Sequence, residues 1–113
     1  MLFRSAQLTY LHDITNVNAS PYRFIATNNE ITTITYDLTV DANMVVAVYD
    51  PDGALFRTLS APEADPRHVV WDGRNKDPAQ ADSRYISKEG VYRIEVKYQG
   101  MREKEDGVVT VYK

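Results

Sequence analysis

Residues 68–75, His-Val-Val-Trp-Asp-Gly-Arg-Asn, place the only Trp of the chain directly before a cluster of polar turn residues. Asp72, Asn75 and the nearby Asp77 supply side-chain oxygens, which are the ligands that Ca²⁺ prefers. Their spacing differs from that of an EF-hand loop, which needs ligands at alternate positions and a later Glu. The pattern therefore favours solvated turn residues over a calcium site.

The other residues that could carry chemistry are scattered along the chain. His12 and His68 are the only histidines and fall in different predicted strands, and the chain has no Cys, so the ligands of a zinc site are missing. No Ser lies in a G-x-S-x-G motif, and no glycine-rich phosphate loop is present. We therefore expect no catalytic residue, no metal, no cofactor and no enzymatic activity.

The charge distribution argues against a nucleic-acid partner. The net charge is −3 over 113 residues, and the 13 Lys and Arg residues form no run of five. Binding to phosphates needs a clustered basic surface. The N-terminal region has no long apolar run, so we expect neither a signal peptide nor a membrane span in this chain.

Alternating hydrophobicity is the main structural signal. In the segment 31–40, Ile34, Tyr36 and Leu38 fall on one face, and Thr and Asp residues fall on the other. The segment 89–98 alternates in the same way, with Tyr92 among its apolar residues. This period of two predicts strands with one buried and one solvated face.

The remaining segments also favour strands. The apolar run 44–50 is typical of a central strand covered on both faces. The Asp-Pro-Asp-Gly sequence that ends at Gly53 predicts a tight turn. Further strands are expected at 54–60, 68–72 and 107–113, at 20–28, and more weakly at 6–12. Seven to eight short strands without a helical pattern predict an all-β fold, an antiparallel β-sandwich.

The Trp71 corner, defined as Trp71 to Asn75, has a structural explanation. Trp71 shares a face with Val69, so its ring can enter the core while its N–H reaches a backbone carbonyl. Asp72 can accept a hydrogen bond from a backbone N–H two residues later, and Gly73 can adopt a positive φ. These residue types favour a corner that stabilises the fold over a binding site.

The order of these signals resembles the FlgD-like family, the immunoglobulin-like domain of the flagellar hook-capping protein and its relatives. The family pattern combines a strand, a hairpin, a Trp-Asp-Gly corner and a last strand with Gly and Tyr. The matching residues are Thr33, Ile34, Tyr36, Leu38, Val46, Val48, Tyr49, Asp50, Gly53, Arg57, Leu59, Trp71, Asp72, Gly73, Arg74, Asn75, Gly90 and Tyr92.

The resemblance implies an immunoglobulin-like sandwich over residues 21–113, preceded by an N-terminal extension over residues 1–20. It also implies a non-enzymatic structural module with protein partners in an extracellular, cell-surface or virion assembly. The hook-capping members are scaffolds that guide subunit polymerisation.

The N-terminal extension contains a candidate assembly segment, residues 3–12. Ala6, Leu8 and Tyr10 alternate with polar residues, and Phe3 precedes them. Open sheet edges accept strands from other chains. The segment can therefore pair with an edge of its own sandwich, pair with a neighbouring copy for self-assembly, or fray as chain termini do.

A carbohydrate-binding or other ligand-binding sandwich is the alternative function. Eight tyrosines are many for this length, and exposed aromatic rings can bind sugars. The alternation predicts burial of Tyr36, Tyr92 and Tyr98. A single flat exposed strip of the remaining candidates would favour the glycan hypothesis; these are Tyr10, Tyr22, Tyr85 and Tyr112.

Overall fold

A computed structural model describes residues 14–39, 43–62, 65–98 and 104–113. Eight strands occur in these ranges, together with one short 3-10 turn at Ala26–Asn28. The strands are β1 (Ile14–Ser20), β2 (Arg23–Ile25), β3 (Thr32–Leu38), β4 (Met44–Tyr49), β5 (Leu55–Ser60), β6 (His68–Trp71), β7 (Gly90–Tyr98) and β8 (Lys104–Tyr112).

The strands form two sheets with the topology of an immunoglobulin-like sandwich. One sheet has the order β1-β3-β6, and the other has the order β2-β8-β7-β4-β5. Neighbouring strands are antiparallel except β2 and β8, which are parallel. The chain passes from the first sheet to the second at the cis peptide bond between Ser20 and Pro21. The predicted all-β sandwich is confirmed.

The described chain begins inside the predicted N-terminal extension. Residues 14–20 form β1, which pairs with β3 from Ile14 opposite Leu38 to Ser20 opposite Thr33. Ile14 is fully buried, so this part of the extension contributes to the sandwich core. The candidate assembly segment 3–12, the weaker strand candidate 6–12 and His12 lie outside the described residues.

The core follows the predicted alternation. Most apolar residues that share a face in β3 and β7 are buried, and Tyr36, Tyr92 and Tyr98 are among them, whereas Leu38 at the end of β3 is half-buried. In β6, Trp71 is fully buried whereas Val70 is 46% exposed. The buried cluster includes Ile14, Phe24, Ile34, Met44, Val46, Val48, Leu59, Val69, Ile86, Ile94, Val96, Val109 and Val111.

The tight turn after β4 forms as predicted. The N–H of Gly53 donates to the carbonyl of Asp50 at 2.9 Å, and Gly53 has a φ of 91°. The Asp50 carboxylate also accepts hydrogen bonds from the N–H groups of Asp52 and Ala54, at 2.9 and 3.0 Å. These bonds reverse the chain into β5.

One sequence expectation about the strands was wrong in detail, and one was met. The strand expected over 20–28 has only three residues, because the chain turns at Ala26–Asn28 and adopts a left-handed φ of 59° at Asn29. The strand expected to be central, β4, lies inside its sheet between β7 and β5. Its outward residue Ala47 is also buried, opposite the buried Glu95 of β7.

Candidate functional site

Trp71 lies at the centre of an aromatic cluster between the two sheets. Its ring meets Phe24 edge-on at 5.7 Å between ring centroids and lies 5.5 Å from Tyr92. Phe56 packs edge-on against Trp71 at 6.2 Å and against Tyr92 at 5.6 Å. The indole Nε1 donates to the carbonyl of Arg74 at 2.9 Å, so the polar atom of this buried ring is satisfied.

Asp72 and Arg57 complete the polar part of the corner. The Asp72 carboxylate accepts a hydrogen bond from the N–H of Arg74 at 3.0 Å, which is the two-residue bond expected from the sequence. Arg57 reaches across from β5, and its Nη1 lies 3.5 Å from Asp72 Oδ1 and 3.0 Å from the carbonyl oxygen of Arg74. The corner is thus connected to both sheets.

Gly73 is required at the corner for two reasons. Its φ is 83°, in the left-handed region that favours glycine. A Cβ at this position would lie 2.4 Å from the Cβ of Ala26. The Gly73 carbonyl also accepts a hydrogen bond from the N–H of Ile86 at 3.0 Å, which closes the following loop against the corner.

The oxygens considered for calcium are used to shape the loop 74–85. Asn75 Oδ1 accepts a hydrogen bond from the N–H of Arg84 at 2.8 Å, and Asp77 Oδ1 accepts one from the N–H of Ala79 at 2.9 Å. Within the ranges that the structure describes, no three His, Asp or Glu side chains gather to hold a metal ion. His68 lies 3.3 Å from Asp65 through its Nδ1.

The two buried motif tyrosines have different hydroxyl environments. The Tyr92 hydroxyl donates to the carbonyl of Lys88 at 2.6 Å. The Tyr36 hydroxyl has no hydrogen-bond partner among the described residues. Burial is the main cause that raises the pKa of both hydroxyls to about 12. The negative charge of Asp65 adds to this effect at Tyr36, and that of Asp50 adds to it at Tyr92.

Three of the tyrosines considered for glycan binding lie in the described ranges, and they differ in exposure and in their neighbours. Tyr22 is 65% exposed, with the Arg23 guanidinium 5.5 Å from its ring centroid. Tyr85 is half-buried, and the Arg74 guanidinium lies over its ring at 4.2 Å. Tyr112 is 42% exposed at the end of β8. Tyr10 lies outside the described residues.

Two small clefts flank Glu30. The Tyr112 cleft, of about 260 Å³, is lined by Arg23, Phe24, Ile25, Glu30 and Tyr112. The Tyr85 cleft, of about 250 Å³, includes Asn29, Glu30, Ile31, Arg74 and Tyr85 in its lining. Tyr112 and Tyr85 thus line separate clefts that share Glu30, and Tyr22 lines neither of them.

A larger groove follows the open edge of β5. It has a volume of about 640 Å³ and lies between β5 residues 57–60 and the loop residues 75–77 and 80. Ala61 donates its N–H to the carbonyl of Met44 in β4, so Leu59 also faces β4. Thr58 and Ser60 therefore direct their backbone groups away from β4, toward the open edge.

Three charged residues have contacts or burial that the sequence analysis did not identify. Arg57 appeared only as a match to the family pattern, and Glu30 carried no local signal. Glu95 belongs to an alternating strand but is only 5% exposed. Burial raises the pKa of Glu95, but the hydrogen bonds from Arg93 and Lys104 outweigh it and leave the pKa below its usual value.

Comparison with known proteins shows similarity at the level of the fold. No family model matches the chain, and no curated protein matches it. A solved structure described as "Biofilm associated protein - BSP domain" is similar to this chain, with a TM-score of 0.62 and 15% sequence identity. The match covers 89% of this chain and 15% of the other chain. The part of the chain that the structure describes contains no helix long and apolar enough to span a membrane.

Proposed function

We propose that this chain is a non-enzymatic structural module of an extracellular, cell-surface or virion assembly. Its main support is the Trp71 corner, whose side chains and backbone bond to one another. The Trp71 indole, the Arg57 guanidinium and the Asp72 carboxylate all make hydrogen bonds within it. A corner built in this way stabilises a sandwich and leaves no activated nucleophile or base exposed.

Two similarities support the location. The motif from Thr33 to Tyr92 resembles the immunoglobulin-like domain of flagellar hook-capping scaffolds. The biofilm-associated structure shares the fold, and this chain spans 15% of its length. The hook-capping domain that the motif resembles is part of an extracellular assembly, and the solved structure is described as a domain of a biofilm-associated protein; both agree with the role proposed for this chain.

The partner surface in this proposal is the edge of β5. Backbone groups at Thr58 and Ser60 point toward solvent, and the groove beside them has room for an extended segment. In contrast, the N–H of Ile25 on the edge strand β2 donates to the Glu30 carboxylate at 2.8 Å, so this part of β2 is already occupied. Residues 3–12 of a neighbouring copy are the proposed occupant of the β5 groove.

Pairing of this kind would be heterologous, because one copy supplies a strand and the next supplies an edge. Such contacts form rings when the rotation closes and filaments when it does not. The competing arrangement has residues 3–12 pairing with a sheet edge of their own sandwich. In the first arrangement removal of the segment converts an oligomer into a monomer, whereas in the second it leaves the oligomeric state unchanged.

Light scattering and thermal melting of the full chain and of a variant without residues 1–13 test the proposal. Ile14 is retained because it is fully buried. We expect the full chain to form oligomers, and the shortened chain to be a monomer with an unchanged melting temperature. A lower melting temperature without a change in mass would support pairing within one chain and contradict the proposed assembly.

A substitution at the edge gives an independent test. Thr58→Pro removes an N–H that faces the groove and leaves the bonds to β4 intact, since proline is tolerated on edge strands. We expect loss of the oligomer with Thr58→Pro and its retention with the control Thr58→Ala. Oligomers that persist in both variants, or a full chain that is a monomer at high concentration, would overturn assembly through β5.

A further inference from the structure

Glu30 presents a fixed carboxylate at the surface. Its Oε1 accepts a hydrogen bond from the N–H of Ile25 at 2.8 Å, and its Oε2 accepts one from Asn28 Nδ2 at 3.1 Å. These two bonds, that from Ile25 foremost, hold the pKa of Glu30 below its usual value, so the group is ionised at neutral pH. Each carboxylate oxygen has two acceptor positions, so both can accept a further hydrogen bond.

The position of Glu30 between two clefts gives it access to two ligand units. The Tyr112 cleft and the Tyr85 cleft each have about 250 Å³, just below the range of about 300–1,000 Å³ for drug-sized ligands. Each cleft is therefore suited to one ring-sized unit. A ligand of two or more linked units could place one on each side of Glu30.

Both clefts combine apolar surface with polar atoms. Ile25 and Tyr112 are opposite each other in the β2–β8 pair and are 39% and 42% exposed. In the other cleft, Ile31 is 48% exposed beside the half-buried Tyr85. Binding sites for small molecules typically have such an apolar lining with a few placed polar groups.

The charges of the clefts favour an uncharged ligand. Arg23 lines the Tyr112 cleft, and both Arg74 and Asp72 line the Tyr85 cleft, so charges of both signs are present in each cleft beside Glu30. A cationic group would meet a guanidinium in either cleft, and an anionic group would meet the carboxylate of Glu30, joined by that of Asp72 in the Tyr85 cleft. Sugar hydroxyls both donate and accept hydrogen bonds, and the C–H face of a sugar ring is apolar, so a sugar satisfies both kinds of surface.

We propose that the two clefts bind a neutral polysaccharide, with one sugar ring in each cleft and Glu30 accepting hydroxyl hydrogen bonds between them. Tyr112 provides the apolar contact for the ring face in one cleft and the exposed Ile31 provides it in the other, and Arg23 and Arg74 donate hydrogen bonds at the two ends. The two clefts share no lining residue with the β5 groove, and sugar binding is measured separately from the assembly proposed above.

Titration of the ¹⁵N-labelled chain with cellohexaose, maltohexaose and chitohexaose, followed by NMR, tests the proposal. We expect at least one of these neutral sugars to cause saturable shifts at amides of both clefts. Glu30→Gln removes the charge from the central acceptor and should weaken binding by about tenfold or more. Tyr112→Ala should weaken it as well.

Tyr22→Ala is the matched control, because Tyr22 is exposed and lines neither cleft. It should leave the dissociation constant unchanged, and melting curves of all variants should show that they remain folded. The absence of saturable shifts with all three sugars would overturn the proposal. Binding that survives both Glu30→Gln and Tyr112→Ala, or binding of the acidic polygalacturonate alone, would also overturn it.

Discussion

Arg57 and Trp71 donate hydrogen bonds to the same backbone oxygen, the carbonyl of Arg74, at 3.0 and 2.9 Å. Arg57 belongs to β5 in the five-stranded sheet, and Trp71 belongs to β6 in the three-stranded sheet. A carbonyl oxygen has two acceptor positions, so both bonds can form together. One loop oxygen therefore links the two layers of the sandwich.

This shared acceptor makes the effects of Arg57 and Trp71 interdependent. Arg57→Met or Trp71→Phe alone leaves the Arg74 oxygen with one donor, whereas the double variant leaves it with neither. The hydrogen bonds to this oxygen are partly buried, and an unsatisfied buried polar group costs up to about 1–3 kcal/mol, so we expect the double variant to lose more stability than the sum of the single variants. Urea unfolding of the four proteins measures this coupling. Additive losses would show that the two donors act separately.

Truncation of Trp71 should destabilise the fold strongly. The side chain is fully buried and contacts three aromatic rings, so Trp71→Ala should cost about 3–5 kcal/mol. Val70→Ala on the same strand is the control, because Val70 is 46% exposed and its loss should cost no more than about 1 kcal/mol. Equilibrium urea unfolding compares the two. A cost below about 1 kcal/mol for Trp71→Ala would contradict its role in the core.

Alanine substitutions at Gly53 and Gly73 distinguish the cost of backbone strain from the cost of steric overlap. Both have positive φ, 91° and 83°, but a Cβ at Gly53 meets nothing within 4 Å, whereas one at Gly73 lies 2.4 Å from Ala26 Cβ. Gly53→Ala should cost about 1–2 kcal/mol for the left-handed conformation, and Gly73→Ala should cost clearly more. Thermal and urea unfolding give both values. Equal losses would mean that Ala26 moves aside without cost.

Removal of the hydroxyl groups from Tyr36 and Tyr92 should have different consequences. Tyr92→Phe loses the hydrogen bond to the Lys88 carbonyl and should cost about 1 kcal/mol or more. The Tyr36 hydroxyl is buried without a partner among the described residues, so Tyr36→Phe should be neutral or stabilising. Urea unfolding at neutral pH distinguishes them. A marked loss in Tyr36→Phe would reveal a hydrogen bond to this hydroxyl.

The same tyrosines predict loss of stability in alkaline solution. Their pKa of about 12 in the folded chain exceeds the value of about 10 for an unfolded chain. The folded state therefore binds more protons between these values, and stability is complete below pH 10 and falls as the pH rises toward 12. Ionisation of each tyrosine should lower the free energy of unfolding by up to about 2–3 kcal/mol.

Urea midpoints across this pH range, with phenolate absorbance to follow ionisation, measure the effect. The double variant with Phe at positions 36 and 92 is the control, since it lacks both titrating groups. Its midpoint should fall less than that of the parent chain above pH 10. Parallel declines in the two proteins would assign the alkaline sensitivity to other groups.

The sequence by itself determined the features that depend on neighbouring residues. The alternation in β3 and β7 predicted which side chains enter the core, because successive residues of a strand face opposite sides. The tight turn before Gly53 and the Trp71 corner were also predictable, since the Asp72 bond and the positive φ of Gly73 involve residues within a few positions. The sandwich class followed from the number and spacing of such strands.

Only the tertiary structure decided which distant residues meet. Arg57 and Arg74 are 17 residues apart, and the pairing of Ile25 with Tyr112 joins the two ends of the described chain. Glu30 lies between two clefts because the chain changes sheets before it and the loop 74–85 folds back toward it. Local alternation says which face of a strand is buried but not which strands become neighbours. Those contacts arise from the simultaneous packing of both sheets.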